Sequence, residues 1–457
     1  MPVARHEAPK IRLAAPRLGR ERLALHKEGL ASGTWPPTHW WRSFHDPVLR
    51  RLIRVGLQNN NSIQIAEFHV RAARASYRLA QSQTELSLDA QGRLARERAS
   101  ATGLVPPPFA GHTLSYGSAG LGAQYDLASW GRRHWAIQTA VGALRATFAQ
   151  NAEIRLLVST EIAERYWEMA AAACRLQQAR AVLAVHKRLR ALLGARMKAG
   201  IQGAIRYDQE AADTALARAA VQEARLDLRS TQLSLAALVG RGPRFGLRLT
   251  APSVRHVPTP LFPDHIRLDL IARRPDIQVR YWQVREAYAG RMTARARYYP
   301  DISLDARLAY QSITPADLLD PANLAARFGP AIHLPLFDSG ARHAQLKVSR
   351  SRFDIAVARY NEAIVNAAAQ VAGALEAVAT ARQNFVQAQR ARHLSEQAFM
   401  LTQARLKAGI LGRVSARRAQ IPVLVARYRQ QRARIAIDEA SIRVLKSLGG
   451  GYHAPKP

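Results

Sequence analysis

At 457 residues the chain is long enough for two or three ordinary domains or for one elongated architecture. Apolar residues make up 48% of it and aromatic residues only 7%, a balance rich in Ala and Leu that favours long helices over a compact sheet-rich core. The formal net charge of +34 invites anionic partners, yet Lys and Arg are spread along the whole chain, without the dense short block of a nucleic-acid arm.

In chain order, residues 1–34 read as a basic, poorly ordered segment without the apolar core of a secretory signal, so a natural start upstream of Met1 is expected. A helical stretch follows over 47–83. Two alternating segments, 86–94 and 118–127, flank a loop rich in Gly, Pro and Ser. A helix of about 100 Å is then predicted over 132–199, with Val182, Val185, Leu189 and Leu192 at the spacing of a coiled-coil seam. It contains Cys174, the single cysteine, which excludes an internal disulfide or a cysteine-based metal cluster. Gly200 ends it after a basic last turn, and a return helix runs over 207–238.

A Pro-rich linker, 251–266, leads to a helix over 275–298 and to alternating segments at 301–311 and 328–337, the last containing Pro330 and Pro335. The most apolar stretch of the chain, 363–381, is interrupted by Asn366, Gln370 and Glu376 and reads as one face of a packed helix. No run of about 18 uncharged apolar residues is present, so a membrane role has to rest on strands. Gly409 repeats the role of Gly200, and 452–457 form a tail.

This succession is a duplication. Glu85-Leu86-Ser87-Leu88-Asp89-Ala90 returns 216 positions later as Asp301-Ile302-Ser303-Leu304-Asp305-Ala306. Asp126 returns 212 later as Asp338, and Arg196-Met197-Lys198-Ala199-Gly200-Ile201 returns 209 later as Arg405-Leu406-Lys407-Ala408-Gly409-Ile410. The first repeat is taken as 35–250 and the second as 267–451.

The alternating segments place Leu86, Leu88, Leu121 and Tyr125 on one face in the first repeat, and Ile302, Leu304, Leu308 and Tyr310 in the second. Period two fits either a half-buried soluble sheet or a lipid-facing wall. Four segments long enough to span an outer membrane when tilted favour the wall. Four strands cannot close a barrel, since the smallest closed membrane barrels use about eight. The chain is therefore expected to share a barrel with copies of itself.

Leu270-Ile271-Ala272-Arg273-Arg274-Pro275-Asp276-Ile277 and Tyr299-Pro300-Asp301-Ile302-Ser303-Leu304 closely resemble the central signature of the TolC-like, NodT-type outer-membrane efflux proteins. Trp40-Trp41-Arg42-Ser43-Phe44-His45-Asp46-Pro47 resembles their N-terminal motif, and Leu334-Pro335-Leu336-Phe337-Asp338-Ser339-Gly340 and Leu445-Lys446-Ser447-Leu448-Gly449-Gly450-Gly451 their later ones. The resemblance spans 35–452. It implies a mixed α+β membrane protein: a homotrimer whose four strands per subunit make a shared β-barrel in the outer membrane, above a periplasmic α-barrel of antiparallel coiled coils. Its implied partners are outer-membrane lipid, a periplasmic adaptor and an inner-membrane pump of the resistance-nodulation-division type. It implies a passive duct for small molecules, with no enzyme activity and no cofactor. The residues agree, for no phosphate loop, paired-His metal helix or nucleophile elbow is visible and the fourteen His are scattered. The alternative of the same class is a protein-secretion duct, and that of a different class is a soluble, basic, nucleic-acid-binding coiled coil.

In the family, acidic residues commonly ring the narrow periplasmic mouth. The matching positions here are Arg206, Ser415 and Arg418, which implies a mouth favouring anionic substrates. Arg196, Lys198, Gly200, Arg405, Lys407 and Gly409 crowd the same tip and are expected to contact the adaptor.

Overall fold

The structure is a computed structural model that describes residues 32–33, 35–104, 106–128, 130–252, 262–263 and 273–453. The basic segment (apart from Ser32 and Gly33), most of the Pro-rich linker, residues 270–272 of the signature and the last four residues lie outside the described residues. In order, the elements are helices α1 (Pro47–Asn59) and α2 (Asn61–Ser82), strands β1 (Ser87–Arg98) and β2 (Thr113–Ala128), and helices α3 (Arg132–Lys198) and α4 (Ala204–Leu238). The second half gives α5 (Pro275–Ala296), β3 (Asp301–Ser312), β4 (Leu324–His333), α6 (Ala341–Lys407), α7 (Arg413–Arg418) and α8 (Gln420–Ser447). The duplication is visible in α3 and α6, each 67 residues long. The described residues group into two compact units, one within 1–68, 149–278 and 361–457, the other within 69–148 and 279–360, so each unit draws on both repeats.

The second unit carries an antiparallel sheet in the order β1-β2-β3-β4. Its register aligns Ala90 with Leu121, Leu121 with Leu308, and Leu308 with Ala326, so one face is apolar across all four strands. Gly120 lets β2 and β3 approach, since a Cβ there would meet Ala309. The fourth strand lies earlier than the alternation suggested, at 324–333 instead of 328–337. Short helical turns at Pro315–Asp317 and Pro321–Asn323 release the chain into pairing at Leu324, and Pro335 falls outside the ladder. Pro330 pairs opposite Leu304 on an edge strand, where a missing N–H is tolerated. At the base of the sheet Arg132 binds Asp126 at 3.1 Å and also pairs with Asp301, joining the start of α3 to both central strands.

In the first unit the N-terminal motif is an anchor. Trp40 and Phe44 are buried, and Asp46 caps α1 by accepting from the Val48 and Leu49 amides and from the Tyr166 hydroxyl on α3. The single stretch expected over 47–83 is broken at Asn60. Its backbone is extended there, and its side chain is spent on the Leu238 carbonyl and the Ser62 amide. Along α3 the buried seam runs Val185, Leu189 and Leu193, while Val182 and Leu192 are half-buried; the stripe follows the helix's own 3.6-residue drift. The 363–381 stretch is packed as expected, with Ala367, Val371, Leu375 and Val378 buried.

The Arg-Arg-Pro-Asp signature acts as a clamp. Arg274 is buried and grips Asp276 through Nε and Nη2 at 3.0 and 2.6 Å. The same guanidinium donates to Gln370 Oε1 on α6 and to the Ser447 carbonyl in the last turn of α8, both at 2.8 Å. One side chain thus binds the start of α5, the middle of α6 and the end of α8. Replacing Arg274 with Ala strands a carboxylate and two acceptors, and a loss of about 3–5 kcal/mol in unfolding free energy is expected. Arg274→Lys, with a point charge in place of a planar fork, is expected to restore less than half of it in denaturant melts.

Candidate functional site

Two regions carry the chemistry. The first is the apolar face of the sheet. Leu88, Leu121 and Leu308 are exposed there, Leu88 at 70%, and Leu86, just before β1, at 65%. Tyr125, Ile302, Leu304 and Tyr310 share the face and are half-buried. The opposite face carries Asp89, Gln91, Arg93, Gln124, Asp305 and Arg307. All four strands meet helices at one end, and loops 99–112 and 313–323 join them at the other.

The second region is the tip where the long helices turn. The last turn of α3 closes with Ile201 N–H donating to the Arg196 carbonyl and Gly200 N–H to the Met197 carbonyl, Gly200 sitting at φ +72°. The second tip repeats this with Ile410 to Arg405 and Gly409 to Leu406, Gly409 at φ +74°. Left-handed backbone and an orphan-carbonyl pattern of this kind select glycine. Lys198, Arg206, Arg405, Lys407 and Ser415 are exposed, and Arg196 is half-buried.

Arg418 is not isolated. Its Nη2 donates to Glu210 Oε2 at 2.9 Å, and the other oxygen of Glu210 meets His186 Nδ1 at 2.7 Å. The Glu210 side chain is fully buried, whereas that of Arg418 is 60% exposed. A carboxylate of the first repeat therefore holds an arginine of the second. Neither His186 nor Glu210 stood out in the sequence. The available signal was Glu210 opening the buried 4-3-4-3 stripe Thr214, Ala217, Val221 and Ala224, where a charge is out of place. Donor atoms of His186, Glu210 and Asp213 lie within 4.8 Å of one another. Both oxygens of Glu210 are already engaged, one by a guanidinium, and that positive neighbour opposes a divalent cation.

The tip is strongly basic. No Asp or Glu lies between Glu396 and Asp438, a stretch that contains Arg405, Lys407, Arg413, Arg417 and Arg418. Glu396 closes that hairpin by accepting from Arg392 at 3.0 Å and Arg427 at 2.8 Å, bonds that hold its carboxyl below the usual range. Further along α8, Asp438 is buried with neither oxygen hydrogen-bonded, and Arg434 stands 3.8 Å away. Burial pushes this carboxyl up to about 7, against the pull of Arg434.

A sheet with one exposed apolar face and two edges unpaired among the described residues, followed in each repeat by a helix of 67 residues, is the build of a membrane channel subunit. The model of the outer membrane efflux protein family matches residues 52–241 and 268–450, and the chain belongs to that family. It is 30% identical over 434 residues to the multidrug resistance outer membrane protein MdtQ of Escherichia coli O157:H7, covering 92% of this chain and 89% of that one. It is 28% identical over 444 residues to MdtP of Escherichia coli K12, covering 93% and 88%. The crystal structure of VceC from Vibrio cholerae superposes with a TM-score of 0.81 at 27% identity, over 91% of this chain and all of that one. CmeC from Campylobacter jejuni gives 0.86 at 19% identity, over 93% and 90%, a likeness of fold. The chain is thus an outer-membrane efflux channel component, with its strands in the outer membrane and its helices in the periplasm. The soluble nucleic-acid-binding alternative gives way to this family.

Two outcomes follow for the buried carboxyls. In a double-mutant cycle of Glu210→Gln and Arg418→Gln, a coupling on the order of 1 kcal/mol is expected, because one partner is buried and the other largely solvated. For Asp438, the folded chain keeps the proton to about pH 7 while the unfolded chain releases it near pH 3.9. The associated stability is full below about pH 4 and is lost as pH rises through about 7. Thermal melts of Asp438→Asn should therefore match the unaltered protein at pH 4 and exceed it at pH 8.

Proposed function

We propose that three copies of the chain assemble into a passive duct, a twelve-stranded outer-membrane barrel continued by a periplasmic helical barrel. The observation that carries this reading is the unclosed sheet: β1 and β4 end the ladder with unpaired edges, and the apolar face between them is exposed. Lipid cannot satisfy backbone groups at such edges, so each edge needs a strand from another copy. Three copies are what the family resemblance implies.

The duct receives its cargo from a periplasmic adaptor and an inner-membrane pump of the resistance-nodulation-division type, docked at the tips around Gly200 and Gly409. Its substrates are small molecules, a reading supported by the multidrug-resistance names of MdtP and MdtQ. The basic tips bias the mouth towards anions. Because Glu210 offsets Arg418, the bias rests on Arg206 and on the second tip as a whole, including Arg413 and Arg417.

The assembly is tested by separating inner and outer membranes and sizing the protein without boiling; a trimer in the outer-membrane fraction is expected, and a soluble monomer would refute the duct. In planar bilayers the channel should prefer anions, and Arg206→Asp with Arg417→Asp should lower the anion-to-cation permeability ratio about twofold or more. A cation preference that the charge reversal leaves unchanged would remove the anion reading alone.

A further inference from the structure

Within the first three strands the apolar face ends along one line, with Leu318 of the loop after β3 folded over Gly117. The last apolar strand positions on the loop side are Leu94 in β1, Gly117 and Ala119 in β2, and Tyr310 in β3, and the register sets these side by side: Leu94 opposite Gly117, Ala119 opposite Tyr310. The next position of the same face is polar on each of these strands. It is Arg96 in β1, Ser115 opposite it in β2, and Ser312 opposite Gly117 in β3. One further step along β1 brings Arg98, opposite Thr113. From Leu86 to Leu94 the strand rises roughly 27 Å. At a tilt of about 40° that is roughly 21 Å along the membrane normal, which sets Arg96 and Arg98 at the outer edge of the ~25 Å apolar band of outer-membrane barrels.

The two ends of the face differ. At the helix end, Trp130 stacks on Tyr299 with ring centroids 5.7 Å apart, and the arginines there have partners in the chain, Arg132 on Asp126 and Asp301 and Arg133 over the Tyr125 ring. At the loop end stand two arginines. With the helices in the periplasm, the loop end is the outer one. Hydroxyls alone, as in β2 and β3, would suffice to end an apolar band, so two arginines on one strand call for a partner. Both are exposed, and among the described residues neither meets a carboxylate. Glu97, the acid between them, alternates to the opposite face. The two guanidinium groups project from positions roughly 6.8 Å apart along the strand. Each is a planar fork suited to bidentate contact with phosphate, and Ser115 and Thr113 place hydroxyls beside them.

We infer that Arg96 and Arg98 form a binding site for the phosphate groups of a phosphorylated glycolipid in the outer leaflet, whose acyl chains lie along Leu94 and Leu121. The site rests on the reading that the apolar face meets lipid. The phosphates neutralise a pair of charges that no carboxylate among the described residues meets, and they fix the height of the sheet in the membrane.

The experiment uses the full chain purified from outer membranes in detergent. Thermal unfolding is followed for the unaltered protein, for Arg96→Gln with Arg98→Gln, and for Arg93→Gln, which lies on the same strand but on the opposite face. Each is measured with bisphosphorylated lipid A, with lipid A stripped of its phosphates, and with phosphatidylglycerol. Lipid A is expected to raise the unfolding midpoint of the unaltered protein and of Arg93→Gln. The rise should vanish with the stripped lipid and in the double variant, and phosphatidylglycerol should give a smaller one. An equal rise with the stripped lipid, or an undiminished rise in the double variant, overturns the site. A larger rise with phosphatidylglycerol than with lipid A overturns the assignment to the glycolipid. Unaltered protein that never reaches the outer-membrane fraction sinks the lipid-facing reading itself, whereas protein that reaches it and ignores phosphate sinks only this site.

Discussion

In hydrocarbon, an unpaired backbone N–H or C=O costs several kcal/mol, and there is no water to take the place of the missing partner. A sheet of four strands has two rows of such groups, on β1 and on β4. This constraint ties the rest of the molecule together. It sets the strict alternation of the strands, since one face must meet lipid and the other must not. It also demands that the strands be held in register from below, which Arg132 does by binding Asp126 and Asp301 at the foot of the two central strands. The edge strand β4 accommodates Pro330, a residue a central ladder would reject.

The polar clusters of the helical parts follow one logic, in which an arginine from one segment is held by acceptors from others. Arg274 joins α5, α6 and α8, and Arg418 joins α7 to the buried Glu210 of α4. Long helices with few aromatic residues present narrow, Ala-rich seams, and such seams slide readily past one another. A planar guanidinium with two or three fixed acceptors admits one register only. Among the charges that look excessive in the composition, a few fix register, while others, at the tips and on the strands, face outward.

Much of this was legible in the sequence, and the misses have physical causes. The long helix predicted over 132–199 ends at Lys198 because a glycine after a basic turn is a local signal, readable without tertiary context. The family was legible because its motifs recur in order. The break at Asn60 was not, since it depends on the Leu238 carbonyl, 178 residues away. The fourth strand was placed four residues late because alternation fixes which side chains share a face but leaves the ends to the turns before and after it. Arg418 was read as a free charge at the mouth. Its partner Glu210 lies 208 positions earlier, in a stripe that otherwise looked like ordinary seam. The role of Arg274 was invisible for the same reason, although its motif was the most recognisable one in the chain.

The end of the chain closes the structure in a literal sense. The Thr38 hydroxyl donates to the Gly451 carbonyl, Ser447 supplies a carbonyl to Arg274, and Gly449 to Gly451 all hold positive φ where a Cβ would strike Arg273, Leu156 or Pro37. Thr38 and Gly451 are 413 positions apart, and Arg274 and Ser447 are 173 apart, so the clamp at Arg274 and the anchor around Trp40 close only when distant segments meet. Such contacts cost loop-closure entropy before they return any stability, which makes this closure a slow step of folding.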